Sequence, residues 1–297
     1  MNAETLNQTT QQAAHNGRPF FKGFQPILDA HRIDYHEGDV WLTVGGDAAP
    51  DSYLFFLSVR LLDIPKVLDA VLPILRSADI VYRIAKNELE ASKIGNGYYG
   101  HHLDGKMIQI QPSSKEQALW LRPLLADATK GFTGMLLTDS VRLGDVLYVL
   151  HVSVPTALVT KKTLNHTFYR MFNPSGRLNQ LPKKKFVGGR FLPVEGLRYS
   201  NKGNVYKAVD LRTSNWCVIK QGNAHAVDDI HGRDMRDRLL WQRHLMEMLQ
   251  DDIPMPRIIR YAEYPAFNFL AMEYVEGATL EKNIENLLDG KQWKGIE

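Results

Sequence analysis

The sequence predicts an α+β protein made of two units. Short runs rich in branched and aromatic residues, such as "SYLFFLSVR" and "NFLAMEYVE", alternate with segments whose apolar residues return every three or four positions. The length, 297 residues, accommodates two ordinary domains. Between them, "NPSGRLNQLPKKKFVGGR" gathers proline, glycine, serine and lysine as an exposed connection does. We read residues 1–17 as a disordered tail, 18–172 as the first domain, 173–189 as a linker and 190–297 as the second domain.

In the first domain the polar tail "MNAETLNQTTQQAAHNG" lacks the basic start and apolar centre of a secretory signal. "DVWLTVG" and "SYLFFLSVR" read as strands. "IPKVLDAVLPILRSA" repeats apolar residues at Val67, Leu68, Val71, Leu72 and Leu75, which is a helix with one buried face. "IVYRIAK" and "KMIQIQP" return to strand composition. "SKEQALWLRPLLADATKG" is a second amphipathic helix, opened by a Ser-x-x-Glu/Gln capping pattern and closed by Gly131. "DVLYVLHVS" ends the domain as a strand.

The second domain opens with "LPVEGLRYSNKGNVYKAVD", two strands about a glycine-containing turn. The run "NWCVIK" is a third strand ending in Lys220. A long helix, "GRDMRDRLLWQRHLMEMLQ", precedes two more strands, "RIIRYAEY" and "NFLAMEYVE".

Composition narrows the class of function. Hydrophobic residues make up 44% and charged residues 23%, as in a soluble globular protein. The net charge is only +3, and Lys161-Lys162 and Lys183-Lys184-Lys185 read as solvated connection rather than a nucleic-acid patch. No stretch reaches the roughly 20 apolar residues of a membrane span. One cysteine, Cys217, excludes an internal disulfide framework and a cysteine-based zinc site, and in an apolar strand it reads as core packing. The expectation is a cytoplasmic protein with neither nucleic acid nor membrane as partner and no metal site of its own.

Three segments of the second domain carry chemistry. Gly203 lies two residues before Val205 in "SNKGNVYKA", Lys220 closes "CVIK", and "FLAMEYVEG" contains Met272, Glu273 and Val275. Taken singly, these are a turn, a solvated strand end and core. In order and at this spacing they resemble a protein-kinase N-terminal lobe: a glycine-rich loop, the strand lysine that pairs with ATP phosphates, and the hinge that holds adenine. The resemblance implies nucleotide contacts from Gly203, Val205, Lys220, Met272, Glu273 and Val275. A kinase pairs that lysine with a glutamate of the next helix; helical register back from Leu249 puts Gln242 there, with Glu247 five residues away on another face.

The same segments, with "GRDMRDRLLWQ", are similar to the kinase domain of class III lanthionine synthetases. In the first domain, "VWLTVG", "SYLFFLSV", "VLDAVLPIL", "VYRIAK", "DGKMIQIQPSSKEQ" and "LLTDSVRLGDVLYV" follow the order of that family's phosphothreonine-lyase-like domain. The resemblance implies a protein that phosphorylates Ser and Thr of a ribosomally made precursor peptide, eliminates the phosphate and closes rings through cysteine thiols. ATP with Mg2+ would serve the complete kinase domain, while no cofactor is assigned to this chain itself.

Several lyase positions depart from the family. Its strand lysine and histidine correspond to Leu54 and Phe56, which do no proton chemistry. Arg83 stands where a lysine base is expected, and a guanidinium stays protonated. Ser140 and Val149 replace arginines, leaving Lys106 as the matching cation. His101 and His102 are the remaining weak candidates for acid or base. The sequence runs to Glu297 without a His-Arg-Asp or Asp-Phe-Gly motif after the hinge segment. The resulting expectation is the N-terminal part of a class III lanthionine synthetase-like protein with a degenerate lyase, completed by a kinase C-lobe and cyclase. The alternative is a non-enzymatic peptide-binding or regulatory module.

Overall fold

The computed structural model describes residues 21–46, 53–137, 139–151 and 186–277, with 283, 284 and 287. The predicted tail, the linker up to residue 185 and most of the chain after 277 lie outside the described residues. Those residues form two antiparallel sheets with helices, an α+β protein as the alternation of periods implied.

The first sheet contains β1 (His36–Glu37), β2 (Trp41–Val44), β3 (Tyr53–Leu57), β4 (Val81–Ala85), β5 (Ile108–Gln111), β6 (Val141–Arg142) and β7 (Leu147–His151), in the order β1-β2-β4-β5-β3-β7-β6. Its helices are α1 (Gln25–Ala30), α2 (Ile64–Ser77), α3 (Glu88–Gly95) and α4 (Lys115–Ala128). All five apolar positions expected to face the core of α2 are buried, together with Ile64. They pack with Leu121 and Leu125 of α4 on Phe55, Leu57, Ile84, Ile108, Ile110 and Val149. Each such side chain removed from water contributes about 1.5–3 kcal/mol.

The capping of α4 differs in detail from the expected box. Ser114 accepts from the Gln117 amide, but the Gln117 carboxamide reaches back to Ser113 rather than to the cap residue. Elements with little sequence signal also appear. α3 is short, with alternating charge, and is recognisable mainly by Asn87, whose side chain accepts from Glu90 N at 2.8 Å. β1 and β6 have two residues each, too few to show a period.

The second sheet contains β8 (Phe191–Arg198), β9 (Val205–Asp210), β10 (Asn215–Asn223), β11 (Ile258–Glu263) and β12 (Phe267–Glu273), ordered β11-β12-β10-β9-β8. Helix α5 (Met235–Leu249) follows β10 and packs on β10, β12 and β11. It begins with a capping box between Asp234 and Asp237. Phe191, Ala208, Cys217, Ile219, Phe269 and Ala271 form a buried cluster on one face of this sheet. Burial pushes the Cys217 thiol up to about 11, so it is inert packing.

The two sheets meet along the far face of the first one. β3 alternates: Phe55 and Leu57 enter the helix-side core, while Phe56 and Leu54 point the other way. There Phe56, Tyr148, Met135 and Leu137 close against Ala226, from the segment between β10 and α5, and Met235, the first residue of α5. That segment also supplies Asp228, whose carboxylate accepts the Leu61 amide at 2.5 Å, and Gly232, whose carbonyl accepts from Arg60.

Candidate functional site

The pleat of β10 sends Cys217 and Ile219 into the buried cluster and Val218 and Lys220 to the opposite face. Antiparallel register extends that face across the sheet. One row runs Arg198, Val205, Lys220, Leu270, and the next runs Glu195, Lys207, Val218, Met272. Three of the residues expected at a nucleotide site, Val205, Lys220 and Met272, therefore share one face, and all three are half-buried.

Helix α5 brings Gln242 to this face. Lys220 Nζ donates to Gln242 Oε1 at 2.6 Å, while the Gln242 amide points at Met246 Sδ, 3.7 Å away. Glu247 accepts from Arg243 at 2.7 Å instead, consistent with its place on another side of the helix. Lys220 is thus held by a neutral oxygen. Burial and the nearby Arg198 guanidinium both push its ammonium below the ordinary lysine value.

Gly203 has a structural reason of its own. Its φ is +139°, and a Cβ there would lie 2.1 Å from the Gln221 carbonyl oxygen. Its amide donates to Ser200 O at 3.1 Å, and Ser200 Oγ donates back to Gly203 O at 2.8 Å. The glycine therefore seats the β8–β9 turn against β10, next to Lys220, with its own N–H already used.

At the other end of the sheet, β12 stops at Glu273. Its amide donates to Arg257 O at 2.8 Å and its carboxylate accepts from Arg257, which lowers the carboxyl below the usual range. Val275 lies beyond the strand and is exposed. A cleft of about 680 Å³ opens here, lined among others by Arg190, Lys207, Trp216, Arg257 and Tyr274. Lys207 sits over the Trp216 ring at 4.8 Å and the Tyr274 ring at 4.0 Å. The cleft adjoins the Lys220 face without including Lys220.

The first domain treats its cations differently. Lys106 is only 2% exposed; its ammonium donates to His102 O at 2.7 Å, pairs with Asp139 and lies 4.6 Å from the centre of the Phe56 ring. Arg83 gives two hydrogen bonds to Gln109 Oε1, at 3.0 and 2.8 Å, and stacks on Trp41. Burial lowers its pKa, yet it remains a cation at neutral pH. His101 and His102 fall in a single 3-10 turn, where His101 is 83% exposed at its side chain and contacts Asp104 at 3.2 Å. Position 149 faces the helix-side core, so Val149 is on the opposite face from Leu54 and Phe56.

Reasoning from sequence missed two groups. Arg198 enters the Lys220 row only through strand register. Asp228 and Asp234 sit six residues apart in the β10–α5 segment; one meets Leu61 of the first domain and the other caps α5. Burial lifts the Asp228 carboxyl to about 6. Burial also opposes charge on Asp234, but the Arg236 side chain and the amides of His225 and Arg236 keep its pKa below the usual value. His225 and Val227, just before Asp228, adopt left-handed φ values of 58° and 57°, which non-glycine residues rarely hold without support from tertiary contacts.

Among the described residues, no group of three His, Cys, Asp or Glu could hold a metal ion, and no helix is long and apolar enough to cross a membrane. No family model matches the chain. A stretch of 94 residues is 32% identical to a Probable SapB synthase of Streptomyces coelicolor. The match covers 32% of this chain and 10% of that protein, so the chain spans only a small part of its relative's length.

Proposed function

We propose that this chain is the N-terminal part of a class III lanthionine synthetase-like protein, with a degenerate phosphothreonine-lyase-like domain followed by a kinase-like N-lobe that binds ATP. The observation carrying this reading is Lys220, third-strand lysine on a half-open sheet face, bonded to Gln242 at the position where a kinase has its glutamate. Similarity to a stretch of a SapB synthase supports the same family.

The residues fit a nucleotide. Val205, Val218 and Met272 supply an apolar wall for a planar base, and Lys220 supplies a cation one cross-strand row away. ATP brings a transferable phosphoryl group; this chain's part is to bind and orient it. Main-chain groups at Glu273 and Val275 would meet the base edge, and Gln242 keeps the Lys220 side chain over the sheet. Mg2+ ligands, the base for peptide Ser or Thr, and ring closure would come from a C-lobe and cyclase, with a ribosomally made precursor peptide as substrate.

The alternative, a non-enzymatic peptide-binding or regulatory module, is favoured by the first domain. Its face bearing Leu54 and Phe56 is covered by the second domain, and Lys106 is neutralised by Asp139. Both readings predict no phosphate elimination by this domain. Release of phosphoric acid from a phosphothreonine peptide, lost on Lys106→Ala, would reverse that expectation.

The nucleotide reading is tested by calorimetric titration of the chain with ATP. Binding is expected for the wild type and should vanish for Lys220→Met. Equal binding by both, or none by the wild type, removes the assignment.

A further inference from the structure

Resting on that nucleotide reading, we propose that Arg198 and Lys220 form a two-cation phosphate grip, and that it takes the polyphosphate of a nucleotide without a divalent ion. The row Arg198–Val205–Lys220 spans three adjacent strands; β8 is bulged between Gly196 and Arg198, and beyond the bulge Arg198 pairs with Val205, so both point to the Lys220 side. With strands about 4.8 Å apart, the two backbone positions are about 10 Å apart. Both side chains are long and rise from the same face, so together they bracket a chain of phosphoryl groups.

The charge balance of this face favours an anion. Arg198 is exposed and takes part in no ion pair among the described residues. Gln242 brings no charge to Lys220. In the neighbouring row Lys207 has Glu195 as its cross-strand neighbour, and its ammonium lies over the Trp216 and Tyr274 rings. On α5, Glu247 is engaged by Arg243 and His244. Arg198 and Lys220 are like charges that repel one another, which adds to burial in pushing the Lys220 ammonium below its ordinary value. A phosphate between them removes that repulsion and gains charge-assisted hydrogen bonds.

Arg198 also compensates for a limitation of the turn. Gly203, the glycine nearest Lys220, spends its amide on Ser200, so it offers no N–H to a phosphate. A guanidinium two strands away provides the donors instead. Where a glutamate partner would neutralise Lys220 and leave phosphate charge for a metal ion, Gln242 holds Lys220 through one hydrogen bond and leaves its charge uncompensated. Two free cations match a metal-free triphosphate better than its magnesium complex, which carries less negative charge.

Calorimetric titration of the full chain with ATP, once in EDTA and once in excess Mg2+, tests this. Wild-type affinity in EDTA should equal or exceed that in Mg2+. Arg198→Ala, at an exposed position, should weaken binding in EDTA by roughly 10-fold or more, as expected for loss of a charged donor, and Arg198→Lys should retain part of it. Gln242→Glu should weaken binding in EDTA as well, with unchanged thermal unfolding as the control for folding. Binding to the wild type seen only with Mg2+, or unaltered by Arg198→Ala, overturns the grip and leaves the nucleotide reading standing. Absence of ATP binding under both conditions defeats the nucleotide reading itself.

Discussion

Each domain carries a lysine directed away from its main apolar cluster, Lys106 just before β5 and Lys220 in β10, and the two have opposite fates. Lys106 is almost wholly buried, with the Asp139 carboxylate, a carbonyl and the Phe56 ring around it. Lys220 stays half-exposed, and its nearest partner is a carboxamide. A buried ammonium needs its countercharge within the fold, because leaving it uncompensated costs several kcal/mol. At a half-buried position the countercharge can instead come from a ligand. The first arrangement is a structural ion pair; in the second the lysine has a carboxamide and, among the described residues, no carboxylate partner.

The most severe test of this contrast is Phe56→Ala. It empties the centre of the cluster joining the two sheets and should cost about 3–5 kcal/mol, measured by urea unfolding. A loss below about 1 kcal/mol would mean that the joint is loosely packed and the first face more open than described.

Next in size is Asp139→Asn, which leaves Lys106 buried without a countercharge. Asp139 is itself 42% exposed, so the expected loss is about 2 kcal/mol rather than the full cost of a deeply buried pair. Lys106→Met should be near neutral in the same assay, since a well-packed apolar side chain can replace a buried ion pair. If Lys106→Met were the more damaging of the two, the lysine would matter for more than packing.

Asp228 probes the joint through pH. Its carboxyl is raised to about 6 against an ordinary value near 4, so the folded protein holds a proton that the unfolded chain releases. This contribution to stability is therefore greatest near pH 4, declines as pH rises towards 6 and is constant above that. Asp228→Asn should flatten the profile in that window, seen in denaturation midpoints at successive pH values. Asp228→Ala should cost roughly 1–2 kcal/mol at all pH values, because the Leu61 amide loses its acceptor.

The smallest stability effect is expected at Lys220. Lys220→Met should change unfolding free energy by about 0.5 kcal/mol or less, while removing ATP binding. A large destabilisation would sharpen the opposite view, that Lys220 is held for structure as Lys106 is.

Legibility followed the strength of the local pattern. The apolar period of α2 put all five expected residues in the core, and the alternation in β3 correctly placed Leu54 and Phe56 on one face. The register of α5 put Gln242 beside Lys220. By contrast, the inward orientation of Val149 was not legible, because a segment read in one dimension does not say which way each residue points. The partners of Lys106 were equally invisible, since Asp139 is 33 residues away and meets it only in the folded sheet.

The sequence by itself determined the kinds of element, their order and the apolar face of each long one, because those follow from periods of 2 and 3.6 within a few residues. Only the tertiary structure decided which charges are spent and which remain available. It paired Lys106 with Asp139, used Asp228 to hold Leu61, and aligned Arg198 with Lys220 across strands of different sequence separation. Charge compensation depends on distance and burial in space, and neither is encoded by spacing along the chain.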